Sequence, residues 1–237
     1  MSENMTVLVI GGTSGMGRAV ADAVAAAGGT PIVAGRDRQK SEGVAEQIGH
    51  GARGVSIDLT DLDSIQAAAD EIGDIDHLVL TAAALTYAPF SELSIEDAQK
   101  VFDNKFWGYY RAVSVFAPRL PDHASITIFS GVAVDRPTAG TVAVTAVNSA
   151  LEGLTRSLAV ELAPIRVNSV SPGMVDTEAY NHLDADEKAQ QFEEVGSSLL
   201  VGRVGKPEDI AATVMYLIGN GFTTASNVHV DGGARIV

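Results

Sequence analysis

The chain contains no cysteine, which excludes disulfide bonds, thiolate chemistry and zinc–thiolate sites. Basic residues are few: 16 Lys and Arg stand against 30 Asp and Glu, for a net charge of −14. A surface this acidic repels phosphate backbones and anionic membranes, so we expect neither nucleic acid nor membrane as a partner. No apolar run reaches the roughly 18–20 residues of a membrane-spanning helix, and the first residues do not resemble a signal peptide. These absences favour a soluble, cytoplasmic protein. The five His are scattered without metal-ligand spacing, so no metal site is predicted.

Short apolar runs alternate with helical patterns along the whole chain. The runs at 6–10, 31–34, 54–57, 77–81, 125–129, 166–170 and 227–230 predict strands, and the spacing of apolar residues predicts helices at 15–27, 39–48, 62–72, 95–118, 141–162 and 207–219. Because the strands lack polar alternation, they suit a parallel sheet buried on both faces. We therefore expect an α/β fold over 1–237: a single domain with a doubly wound parallel sheet of about seven strands and helices on both faces.

Residues 174–200 fall outside this alternation. They are polar and acidic, and they follow directly after a strand and Pro172-Gly173. Such an insertion is typical of a lid over a ligand, with a solvated surface helix as the alternative.

A glycine-rich turn, Gly11 to Gly17, follows the first predicted strand and opens the first helix. This arrangement lets backbone N–H groups approach a pyrophosphate, and the helix N-terminus favours negative charge. A tight turn without a ligand is the alternative. The position between strand and helix predicts a dinucleotide site.

Arg36 follows the end of the second strand, where an acidic residue would accept hydrogen bonds from the ribose of NAD. Its guanidinium can pair with a 2′-phosphate, so we expect NADP(H) to be preferred over NAD(H). Asp37 argues against this preference, unless it pairs with Arg36 or Arg38. Asp58, at the end of the third strand, is expected either to bind the adenine amino group or to cap the helix that begins near Asp61.

The chain resembles the short-chain dehydrogenase/reductase family over essentially its whole length. The resemblance is carried by IGGTSGMG at 10–17, AGRD at 34–37, DLTD at 58–61, SGVAV at 130–134, LEGLTRSLAVELAPIRVNSVSPG at 151–173 and GRVGKPEDIA at 202–211. It implies a Rossmann-type fold, NAD(P)(H)-dependent redox at a carbonyl or alcohol of a small-molecule substrate, and a homodimer or homotetramer, with a paralogous subunit as another partner. Asn168 is implied to be a structural support. The implied cofactor-binding residues are Gly11, Thr13, Ser14, Gly15, Met16, Gly17, Arg36, Asp58, Leu59, Thr81, Ala82, Pro172, Gly173, Val175 and Thr177.

The family's catalytic row of Asn, Ser, Tyr and Lys is largely missing. Ser130 matches the Ser that hydrogen-bonds the substrate oxygen, but the Tyr position falls on Val144 and the Lys position on Asn148. Lys105 stands at the Asn position, so Lys105 and Asn148 have exchanged the residue types of the family. Such an exchange could preserve one cation and one amide, or both residues could have drifted after selection for catalysis relaxed.

A reductase on this scaffold therefore needs other donors. Lys105 is a candidate cationic partner of the substrate oxygen, directly or through water, and Tyr180 in the 174–200 segment is a candidate phenolic donor. A substrate whose reduced form is a delocalised anion needs no protein acid. The expected function is an atypical NADPH-dependent reductase of an activated carbonyl or conjugated substrate. The alternatives are an NADP(H)-binding pseudo-reductase that regulates or accompanies another subunit, and a lyase or isomerase in the same cleft.

Overall fold

Seven parallel strands form one sheet in the computed structural model, which describes residues 5–237. The strand order is β3-β2-β1-β4-β5-β6-β7. The strands are β1 (Thr6–Ile10), β2 (Thr30–Gly35), β3 (Arg53–Ser56), β4 (His77–Leu80), β5 (Ser125–Phe129), β6 (Arg166–Pro172) and β7 (Asn227–Val230). This confirms the predicted doubly wound α/β fold. Its chain order reverses between β1 and β4, the place at which open α/β sheets bind ligands.

Eight α-helices cross over between or beyond these strands within residues 5–237. They are α1 (Gly15–Ala26), α2 (Arg38–Ile48), α3 (Leu62–Ile72), α4 (Ile95–Phe102), α5 (Gly108–Phe116), α6 (Val142–Glu161), α7 (Ala185–Ser198) and α8 (Pro207–Gly219). Within this part of the chain, no helix is both long and apolar enough to span a membrane.

The sheet is covered on both faces, which explains the unbroken apolar runs of its central strands. On one face, α3, α5 and α6 bury a cluster that includes Ile10, Leu78 and Ile126. On the other face, α1 and α8 bury a second cluster that includes Val9 and Val79. Successive strand residues therefore serve opposite cores, and both cores hold the strand ends in place.

The predicted helix at 95–118 is interrupted in the structure. After α4, the segment Asp103–Trp107 forms a π-helical turn, α5 follows, and Ala117–Arg119 is a short 3-10 turn. Pro118 has no N–H to donate, which accounts for the end of the regular helix. The π-helical turn is a local widening that apolar periodicity does not reveal, and such turns are frequent at functional sites.

The segment 174–200 contains a 3-10 turn, Glu178–Tyr180, and the helix α7. Asp184 caps α7 by accepting hydrogen bonds from the N–H groups of Asp186 and Glu187, and the Glu187 carboxylate accepts from the Asp184 N–H. The acidic cluster at this helix start is thus a capping box.

Candidate active site

A cleft of about 640 Å³ opens where β1, β2, β3, β4 and β6 end. This volume lies within the range of about 300–1,000 Å³ that is usual for small-molecule and cofactor sites. Of the fifteen residues expected to bind cofactor, all but Asp58 and Pro172 line the cleft. The strand ends converge here because parallel strands present all their carboxyl ends at one edge of the sheet.

The glycine-rich turn makes a tight cradle at one end of the cleft. A Cβ on Gly17 would lie 2.3 Å from the carbonyl oxygen of Gly11, and Gly11 itself has a φ of +95°, so neither position tolerates a side chain. The first turn of α1 carries no acidic side chain, and the Ser14 side chain makes no capping bond to any described residue. The positive end of α1 can hold an anion such as the pyrophosphate of a dinucleotide. In this structure the Glu178 carboxylate lies beside it, with Oε2 3.4 Å from a Cβ built on Gly15.

Arg36 lines the same cleft beside Gly35. Asp37, the residue that could oppose a 2′-phosphate, caps α2 by accepting a hydrogen bond from the Lys40 N–H at 3.0 Å. Arg38 pairs with two glutamates, Glu42 and Glu71, and not with Asp37. Among residues 5–237, no ion pair involves Arg36, so its guanidinium is available to an anionic ligand.

The carboxylate of Asp58 makes its hydrogen bonds within its own loop. Its Oδ1 accepts hydrogen bonds from the N–H and the hydroxyl of Thr60, and these bonds hold the pKa of Asp58 below its ordinary value. The helix α3 is capped by Asp61, which accepts from the N–H of Asp63, so the capping role considered for Asp58 belongs to its neighbour.

The exchanged pair, Lys105 and Asn148, meets directly. The Nζ of Lys105 donates to Oδ1 of Asn148 at 2.6 Å and to the carbonyl oxygen of Ser130 at 3.2 Å. The two residues are 3% and 2% exposed. Burial lowers the pKa of Lys105 to about 7. Neither side chain is among the described residues that line the cleft, so the pair lies behind its wall.

The hydroxyl of Ser130 is also engaged away from the cleft. It donates to Oε1 of Glu152 at 3.2 Å, and Glu152 also accepts from the amide of Asn227 at 2.8 Å. A Cβ on the next residue, Gly131, would lie 2.9 Å from Nδ2 of Asn148. There is thus no room for a side chain at position 131 beside Asn148. Ser130 could donate to a substrate only if its hydroxyl left Glu152.

The α6 position that the resemblance aligns with the family Tyr holds a buried aliphatic side chain, Val144. Val144 is 3% exposed on α6. Its neighbours Ala143 and Val147 form a small core with Val101, and Leu85 from the loop after β4 packs against it. Leu85 thus brings the loop after β4 against the part of α6 that carries Ala143 and Val147.

The other end of the cleft carries two polar side chains that motif reasoning missed, Tyr87 and Asn104, together with Tyr180, which it proposed. The ring of Tyr180 packs edge to face on Phe192, with centroids 5.2 Å apart. Burial raises the pKa of Tyr180, and the neighbouring phenol of Tyr87 adds to this effect. Tyr87 and Asn104 lie outside any recognisable motif, and only the meeting of their two segments reveals them.

Asn168 and Thr177 stabilise the backbone near the cleft in different ways. Asn168 on β6 is fully buried, donates to the carbonyl oxygen of Thr223 and accepts from the N–H of Ser226. Asn168 thus supports the structure, as the family resemblance implied. Thr177 lines the cleft and caps the 3-10 turn after it.

Within residues 5–237, no group of three or more His, Asp or Glu side chains is arranged to hold a metal ion.

Comparisons with known proteins agree with this geometry. Residues 11–235 match the family model described as enoyl-(acyl carrier protein) reductase. The chain is 33% identical to the short-chain dehydrogenase/reductase ATR9 of Stachybotrys chlorohalonatus over 97% of this chain and 96% of that protein. It is 31% identical to the 3-oxoacyl-(acyl-carrier-protein) reductase FabG of Aquifex aeolicus, over 95% of each.

A solved structure described as a small-chain dehydrogenase in complex with NADPH superposes with a TM-score of 0.86 at 32% identity, over 99% of this chain and 100% of that chain. The match of fold, sequence and cleft gives one conclusion: the chain belongs to the short-chain dehydrogenase/reductase family of oxidoreductases.

Proposed function

We propose that this chain is an NADPH-dependent reductase of activated carbonyl or conjugated substrates that works without a Tyr–Lys pair. The observation that carries the proposal is one cleft with a dinucleotide cradle at one end and polar and aromatic side chains at the other. The reductase activities named for its relatives and the NADPH complex of a structural relative support the assignment.

Arg36 sets the choice of cofactor. Its guanidinium makes no ion pair among the described residues and can pair with a 2′-phosphate, while the adjacent carboxylate of Asp37 caps α2. The carboxylate of Asp58 accepts hydrogen bonds from Thr60 that lower its pKa, and the charge of Arg36 lowers this pKa further. The Gly11–Gly17 turn and the N-terminus of α1 hold the pyrophosphate. Gly173 and Thr177, which also line the cleft, are the residues that we assign to the nicotinamide end.

The reaction has to proceed without a Tyr donor on α6. NADPH, when bound, supplies a hydride to the substrate, whose oxygen is left as an anion that takes its proton from water. Val144 can donate no proton, and general acid catalysis is typically worth about 10² to 10⁴ in rate. The cleft therefore selects quinones, diketones and conjugated enones, whose reduced forms spread the negative charge, over simple ketones.

Lys105 and Asn148 act as positioning residues in this scheme. Their 2.6 Å hydrogen bond joins the π-helical turn to α6, and the second bond from Lys105 reaches the end of β5 at Ser130. The pair thus ties three elements together directly behind the cleft, in the place where the family puts its catalytic machinery.

We also infer that residues 174–200 form the lid. Tyr180 projects from this segment into the cleft, Phe192 of α7 braces its ring, and Lys188 of α7 pairs with Asp176 at 2.7 Å. These contacts join the two halves of the segment, so that the segment can close as one piece.

The lost catalytic row favours a second candidate, a cofactor-binding subunit without activity of its own. An NADPH-consumption assay with purified protein separates the two. The reductase should turn over quinones, diketones or enones, reduce simple ketones at least about 100-fold more slowly, and prefer NADPH to NADH. Equal rates with simple ketones would contradict the acid-free mechanism. Folded protein that binds NADPH but consumes none with any of these substrates would establish the silent subunit.

We further infer a homodimer or homotetramer that uses the exposed face where the π-helical turn joins α5. Trp107 and Tyr110 are stacked edge to face at 5.9 Å, and each is 48% exposed. Exposed aromatic pairs of this kind mark association surfaces. Light scattering coupled to gel filtration should give a dimer or tetramer that Trp107→Glu dissociates. A wild-type monomer would instead point to a paralogous partner.

A further inference from the structure

The oxygen of a reduced substrate needs a hydrogen-bond donor, and the α6 side of the cleft offers none. Val144 is aliphatic, Gly131 has no side chain, and the hydroxyl of Ser130 is held by Glu152. Among the described residues, the donors that remain at the substrate end of the cleft lie on the loop after β4, the π-helical turn and the lid: Tyr87, Asn104 and Tyr180.

Asn104 has a fixed orientation, which distinguishes it from the two phenols. Its Oδ1 accepts a hydrogen bond from the N–H of Ala84 at 2.7 Å. An N–H group can donate only to the oxygen of an amide and not to its nitrogen. The bond from Ala84 therefore fixes the positions of Oδ1 and Nδ2 of Asn104. Asn104 and Ala84 both line the cleft. Nδ2 of Asn104 has no acceptor among residues 5–237. Its two N–H donors are thus available to a ligand.

The backbone around Asn104 is also held. Asn104 lies in the π-helical turn Asp103–Trp107, next to Lys105, whose side chain runs inward to Asn148 and Ser130. Adjacent residues of a helix point in different directions, so Lys105 anchors the turn in the interior while Asn104 faces the cleft. A donor fixed in this manner needs no reorganisation when charge develops nearby.

We propose that Asn104 is an oxyanion donor: its Nδ2 hydrogen-bonds the substrate oxygen and stabilises the negative charge left by reduction. The inference deepens the proposed reductase function and rests on it for the nature of the substrate. A neutral amide can stabilise an anion but cannot give it a proton. Asn104 therefore suits a substrate whose anion is delocalised and takes its proton from water.

Asn104→Asp tests the donor separately from the tether. The aspartate keeps an oxygen to accept from the N–H of Ala84, but it removes the Nδ2 donors and places a negative charge in the cleft. Asn220→Asp, at the end of α8 and outside the cleft, is the matched control for the added charge. Tyr87→Phe and Tyr180→Phe test the rival phenols. Circular dichroism and urea midpoints establish that each variant is folded.

Two measurements decide the inference. The first is kcat with whichever activated substrate the wild type reduces. Removal of an oxyanion donor typically costs about 10² to 10³ in kcat, so we expect Asn104→Asp to lose at least about 100-fold. The second needs no turnover: binding of 4-nitrophenolate, a coloured delocalised anion, to wild type and variants with and without NADP⁺. We expect Asn104→Asp to weaken this binding at least about tenfold, since a hydrogen bond to a charged group is lost.

The outcomes separate the two proposals. If the wild type reduces nothing, the proposed function fails, and phenolate binding alone decides the role of Asn104. Equal phenolate affinity of wild type and Asn104→Asp, or no binding to the wild type, would overturn the oxyanion donor. So would a loss of kcat confined to Tyr87→Phe or Tyr180→Phe, which would transfer the role to a phenol.

Discussion

The buried ammonium of Lys105 should make the stability of this protein depend on pH in a window where few other groups titrate. In the folded chain burial lowers the pKa of Lys105 from 10.5 to about 7. Between these values the unfolded chain holds a proton that the folded chain does not, so the free energy of unfolding rises with pH. Below about pH 7 both states are protonated, and the penalty for burying the charge is present in full.

The magnitude follows from the two pKa values. Each pH unit well inside the window contributes about 1.4 kcal/mol. Because the folded-state titration is only half complete at pH 7, the gain from pH 7 to pH 9 is about 2 kcal/mol. Lys105→Met removes the titrating group, so its stability should lack this gain. The wild type should therefore gain about 2 kcal/mol relative to Lys105→Met over these two pH units.

Urea unfolding of both proteins at pH 6, 7, 8 and 9 measures this difference, with the slope of each transition checked for two-state behaviour. Lys100→Met is the control: Lys100 is exposed and paired with Asp97, which raises its pKa, so it titrates above the measured range. The reasoning is refuted if the difference between wild type and Lys105→Met stays constant from pH 6 to pH 9.

Three further predictions address the cofactor site and the lid. In fluorescence titrations, Arg36→Ala should raise the Kd for NADPH about 10- to 100-fold, because a charge-assisted hydrogen bond is lost. The Kd for NADH should not change. An equal loss of affinity for both cofactors would exclude a 2′-phosphate contact. Gly17→Ala puts a Cβ 2.3 Å from a backbone oxygen. It should lower the free energy of unfolding by about 1–3 kcal/mol and abolish NADPH binding. The control Gly153→Ala has open space around its Cβ and should raise the free energy of unfolding, measured in urea, by about 0.5–1 kcal/mol. Phe192→Ala removes the ring that braces Tyr180 and should raise KM for the substrate while the Kd for NADPH is kept; unchanged steady-state kinetics would remove the lid role.

Most of the fold could be predicted from the sequence because the information is local. Each buried strand is a short apolar run, so the predicted bounds of the seven strands lie close to the observed ones. The covering helices repeat their apolar residues at helical spacing. The boundaries that differ, such as β6 extending to Pro172, lie where a strand continues into a loop. The interruption at Asp103–Trp107 could not be foreseen, since a π-helical turn keeps the composition of the helix around it.

The same contrast holds for the candidate site. The Gly11–Gly17 cradle and Arg36 were identified from the sequence because a strand, a turn and a helix that are contiguous in the chain build them. The substrate end combines residues far apart in sequence, Tyr87, Asn104 and Tyr180, and no local pattern connects these three. The direction of the Ser130 hydroxyl, toward Glu152, also depends on which helix face packs beside β5.

By itself, the sequence determined the family, the parallel sheet, the glycine-rich turn that borders the cleft and the absence of Tyr and Lys from α6. These properties depend on residue type and on order along the chain. The tertiary structure decided that Lys105 and Asn148 bond to each other, that burial shifts the pKa of Lys105, and that the amide of Asn104 faces the cleft. These depend on desolvation and on contacts between distant segments, which exist only when the α6 helix, the π-helical turn and the loop after β4 are packed together.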